Sequence, residues 1–73
     1  MTDAAGILCV VVVRRPGGEQ LFNLPMRFPA VPQLKDQISF AFGGERHFVL
    51  VEGRVFNDPG TPDENIALFC ERH

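Results

Sequence analysis

Hydrophobic and polar positions along this chain fall into five short blocks separated by glycine and proline. The first, "GILCVVVVRR" (6–15), is a continuous apolar run with four valines in a row. β-Branched residues favour strands, and a run without alternation is apolar on both faces. One face carries Ile7, Cys9, Val11 and Val13, and the other Leu8, Val10 and Val12. "RPGGEQ" (15–20) is turn chemistry, with Pro16 presetting φ and Gly17-Gly18 open to positive φ. In the second block, "EQLFNLPMRF", Phe22, Leu24, Met26 and Phe28 recur at period two against Asn23, Pro25 and Arg27. That alternation marks a half-buried strand, and Pro25, which has no N–H for a ladder, marks an edge or a bulge.

Prolines 29 and 32 bias the residues before them to extended geometry, so helix is disfavoured until after Pro32. "PQLKDQ" has room for one short helical or 3₁₀ turn. "QISFAF" then alternates, with Ile38, Phe40 and Phe42 on one side, and Gly43-Gly44 forms a hairpin turn. In the fourth block, "HFVLVEGRVFND", Phe48 and Leu50 oppose Val49 and Val51, and Gly53 in mid-strand suggests a bend or bulge. A polar loop, "NDPGTPDEN", leads to "IALFCER", where Ile66, Leu68 and Cys70 share a face. The pattern predicts an all-β chain: a single domain spanning 1–73, built as a small, strongly bent five-stranded barrel with at most one helical turn. The alternative is a β-grasp fold with residues 30–37 as a stunted helix, which the two prolines oppose.

Composition adds constraints. Seventy-three residues make a small core, and such domains often lean on disulfides, a metal or self-association. Seven Phe with no Trp or Tyr favour a dry core over a wet groove. The net charge of −2 does not suit sequence-independent nucleic-acid binding by the chain as a whole. Two cysteines are too few for a disulfide scaffold. No basic segment precedes the first apolar run, and that run is far shorter than the roughly 20 residues of a spanning helix. The expectation is a cytoplasmic protein with reduced thiols and no membrane partner.

The order of elements, with "PQLKDQISF" followed by "GGERHFVLVEGRVFND", resembles small bacterial proteins with SH3-like or Sm-like barrels of uncharacterised function. In this likeness Lys35 stands where a glycine is usual. The resemblance implies a small barrel, with RNA as a partner to consider. The Asp-x-hydrophobic-x-Asn and Arg-Gly motifs by which Sm proteins hold uridine-rich RNA are absent as written, so no RNA-contact residue is carried over.

Chemistry-bearing residues are sparse. Cys9 and Cys70 become a redox pair or metal ligands only if the first and last strands bring them together; otherwise they are buried thiols acting as small hydrophobes. Cys70 and His73 have a ligand-like spacing, with His47 a third donor, but a structural zinc site needs a second close pair. Ser39 is the only serine and has no nucleophile motif around it, and His47 reads as an exposed strand-end residue. No catalytic residue, cofactor or metal site is assigned, and the chain is expected not to be an enzyme. Two surfaces remain. Leu8, Val10 and Val12, the second apolar face of the first strand, suit an interface with another copy or a protein partner. Arg14, Arg15, Arg27 and Arg46 suit RNA phosphates if they gather at one rim. The favoured expectation is a self-associating or protein-interaction module, with an Sm-like RNA-binding module as the alternative.

Overall fold

The computed structural model describes residues 6–72. They form β1 (Ile7–Arg14), β2 (Gln20–Phe28), β3 (Gln37–Phe42), β4 (Glu45–Asn57) and β5 (Asn65–Arg72), with no helix among the described residues. All five lie in one sheet in the order β2-β1-β5-β4-β3. β1–β2 and β3–β4 are antiparallel hairpins. β5 lies between them, antiparallel to β4 and parallel to β1. The fold is the all-β, five-stranded, barrel-like one the pattern predicts, a strongly curled half-barrel.

The concave face holds the core. Cys9, Val11 and Val13 of β1, Val49 and Val51 of β4, and Leu68 and Cys70 of β5 are fully buried. Phe22, Leu24, Met26 and Phe28 of β2 pack against them from one edge. Ile38 and Phe40 of β3 close in from the other. β2 and β3 are the two ends of the sheet, yet Phe22 stacks on Phe42 at 4.5 Å between ring centroids. It also meets the edges of Phe40 and His47. These rings hold the sheet in its curl without backbone pairing across the seam.

His47 corrects the expectation of an exposed histidine: it is 7% exposed. Strand parity places it on the concave face with Val49 and Val51, where Phe40 stacks on it at 5.3 Å. Its Nε2 lies 3.0 Å from the Phe42 carbonyl oxygen. A carbonyl only accepts, so Nε2 is the donor in this contact, and Nδ1 is buried with no hydrogen-bond partner.

The bend expected at Gly53 is present as a register shift between Val51 and Gly53. Phe69 lies across Gly53, where a β-carbon would meet the Phe69 side chain at 3.8 Å. Gly6, at φ 105°, approaches the Phe28 backbone so closely that a β-carbon would stand 2.8 Å from its carbonyl oxygen.

Residues 29–36 contain no helical turn. Instead, residues 33–36 make a β-turn in which the Asp36 N–H donates to the Gln33 carbonyl at 3.0 Å. The Asp36 carboxylate in turn accepts the Gln33 N–H at 2.8 Å. Lys35 takes φ 75° at the third position, the signature of a type II turn, where glycine is normally favoured. Its ammonium reaches Glu52 Oε1 at 3.2 Å, an exposed pair of small worth. Two substitutions separate these effects, because both remove the ion pair and only one relieves the backbone. Lys35→Gly is expected to exceed Lys35→Ala in urea-unfolding free energy by about 1 kcal/mol. Equal stabilities would show that the left-handed turn stores no strain.

Candidate interaction surfaces

Cross-strand partners lie on the same face, so the register gives the convex surface row by row. Val10 pairs with Pro25 on one side and Ala67 on the other, and Ala67 pairs with Val55. An apolar row, Pro25–Val10–Ala67–Val55, therefore crosses four strands. Leu8 lies beside it, 49% exposed, and Val55 is 42% exposed. Val10 is half-buried, while Val12, at 9%, is largely covered within the chain between its neighbours Asn23 and Phe69. Of the three β1 residues expected to face a partner, Leu8 and Val10 offer surface and Val12 offers little.

Polar rows flank this band. Arg27 and the hydrogen-bonded pair Asn57–Asn65 lie at one end, and Arg14 and Glu71 are neighbours at the other. The Arg14 guanidinium lies 5.4 Å from the Phe69 ring centroid. Arg14, Arg15, Gly17, Gly18, Glu52 and Glu71 surround a hollow of about 280 Å³ with two cations and two anions.

The four arginines do not form one patch. Arg27 pairs with Leu8, six residues along β1 from Arg14, roughly 20 Å away at strand rise. It donates to the Gly6 carbonyl at 3.3 Å. Arg15 is paired with Glu19 at 3.3 Å. Arg46 precedes the last β4–β5 pair, Val49–Arg72, by three residues and donates to Ser39 Oγ at 3.2 Å. That bond occupies the only serine on an exposed strand.

The first and last strands do pair, but in parallel, and this separates the thiols. Cys9 lies opposite Ile66 and Cys70 opposite Val13, four residues apart along the ladder, roughly 13 Å. A disulfide needs α-carbons within about 7 Å, so these two cannot bridge in the folded chain. Each S–H instead points at the carbonyl two residues before it. Burial raises both thiols, that of Cys70 to about 11. No group of three metal-donor side chains is found among the described residues, and His73 lies outside them.

A groove of about 540 Å³ opens beside the start of β3. Phe28, Pro29, Val31, Pro32 and Ile38 supply its apolar wall, and Gln37 and Ser39 border it. The groove was not anticipated from sequence, where the two prolines that help build it signal only extended geometry before them.

No family model, no curated protein and no solved structure matches this chain. No helix among the described residues is long and apolar enough to cross a membrane.

Proposed function

We propose that this protein is a non-enzymatic module that works by self-association through its convex face. The observation carrying this reading is the apolar row Pro25–Val10–Ala67–Val55 with Leu8 beside it, bounded at both ends by polar side chains. An apolar centre within a polar rim is the anatomy of a protein interface. A second copy suits it better than a strongly charged partner, because the rim carries Arg14, Arg27 and Glu71 together and can complement itself. A standard interface takes about 800 Å² per partner, roughly one-sixth of the 4726 Å² accessible surface. Covering that much would offset the handicap of a small core. The dispersed arginines give the RNA-binding alternative no comparable footing.

The test is sedimentation or native mass spectrometry across a dilution series, with Leu8→Lys and Val55→Lys combined. Both side chains are exposed, so the fold survives. The expected result is a wild-type dimer or larger assembly that the double variant converts to monomer. A monomeric wild type, or an assembly indifferent to both lysines, overturns the reading.

A further inference from the structure

The half-barrel has two free edges, and they are not equivalent. β2 ends the sheet with Pro25, which has no N–H to offer, and with Arg27 on its exposed side. Proline and charge are the usual devices that keep an edge from recruiting another strand. β3 has neither: its exposed residues are Gln37, Ser39, Ala41 and Phe42.

The hairpin geometry shows which backbone groups this edge leaves free. Gly43 and Gly44, at φ 64° and 82°, make a two-residue turn between the partners Phe42 and Glu45. In such a hairpin the flanking pair exchanges both hydrogen bonds, and every second pair does so thereafter. Phe40–His47 and Ile38–Val49 are therefore bonded pairs. Val51 continues the alternation: its carbonyl accepts the Lys35 N–H at 2.7 Å and its N–H donates to Asp36 at 2.9 Å. Gln37, Ser39 and Ala41 consequently turn their N–H and C=O groups away from β4. Gln37 and Ser39 also border the apolar groove.

From this combination we infer that the β3 edge and its groove form a receptor for an extended peptide segment of a partner protein, which adds to the sheet as a sixth strand. The free donors and acceptors bind the peptide backbone, and the groove takes alternate apolar side chains. The segment is not acidic where it enters, because the Asp36 carboxylate, which also accepts the Gln33 N–H, is the one charged group lining the groove. β3 sets the footprint at about six residues. This receptor lies on a different surface from the convex face and stands whether or not the protein self-associates.

The probe is a fluorescein-labelled six-residue peptide alternating valine and threonine, followed by anisotropy and by amide shifts in NMR. Titrating both wild type and the Leu8→Lys/Val55→Lys variant separates this site from the self-association face. The expected result is saturable binding to both, with shifts centred on Gln37, Ser39 and Ala41. Ser39→Pro removes one outward N–H without touching the β3–β4 backbone bonds, at the loss of the exposed Arg46–Ser39 side-chain bond, and it weakens binding about tenfold. Because a variant can fail for reasons of folding, the same peptide N-methylated at alternate residues is titrated against unmodified protein and weakens similarly. Absence of binding, equal binding of the methylated peptide, or shifts confined to the convex face overturn the proposal. Shifts at the three edge amides on protein dilution alone also overturn it, since a second copy would then own the edge.

Discussion

Leu68→Ala is expected to leave this domain with little or no net stability. Leu68 is fully buried on β5, the central strand, and belongs to the cluster that contains the valines of β1 and β4. Truncating a leucine so placed costs about 2 to 5 kcal/mol, the lost transfer energy plus the cavity left behind. A domain of 73 residues holds only about 4 to 11 kcal/mol in total. A sheet curled around one side offers no second layer to collapse into the hole, so the cost should lie toward the upper end. Urea unfolding followed by circular dichroism reads it directly. Leu34→Ala, in the exposed turn, provides the contrast and should stay within about 0.5 kcal/mol. A Leu68→Ala shift as small as that of Leu34→Ala would show that the concave face is not the core.

The second large effect is alkaline. In the unfolded chain the Cys70 thiol ionises near its ordinary value of 9.0, whereas burial in the fold holds its proton to about 11. Nearby Arg14 lowers that value and Glu52 raises it, but both effects are smaller than burial. Between these pH values unfolding releases a proton, so raising the pH favours the unfolded chain. The contribution is fully present below pH 9 and is lost as pH rises toward 11, amounting to roughly 2 to 3 kcal/mol. Cys9, also raised by burial, acts in the same direction. Urea midpoints of wild type and Cys70→Ala, measured from pH 8 to 11, should diverge, with the wild type falling more steeply. Parallel curves would sink the argument. The same burial makes both thiols inert to a thiol reagent until urea opens the fold.

Which residues face inward was legible in the sequence almost throughout. The period-two alternation of Phe22, Leu24, Met26 and Phe28, and that of Ile66, Leu68 and Cys70, are the burial patterns observed in β2 and β5. Periodicity reports faces, however, and says nothing of neighbours. The parallel contact between β1 and β5 rests on a long-range choice that no local pattern encodes, and it sets the distance between the cysteines. His47 departs from the expected exposure for a related reason. Its place at the start of a run suggested exposure, but its parity with Val49 and Val51 was the better guide. The free edge of β3 was illegible because an edge is defined by the strand that is missing beside it. Lys35 shows the converse: a non-glycine residue in a glycine conformation, where the turn's position in the fold outweighs residue preference.

The central place of β5 has a consequence for how the chain acquires its structure. It follows the other four strands in sequence, yet it alone pairs its backbone with both the β1–β2 and the β3–β4 hairpin. Until residues 65–72 arrive, the chain can form only two separate hairpins, each with a valine-rich strand lacking a neighbour. Contacts so distant in sequence form slowly, and unpaired apolar strands aggregate while they wait. While β5 is unpaired, the chain therefore carries its most adhesive surfaces open. Its yield in a cell depends on how fast the final strand finds the gap between the other two.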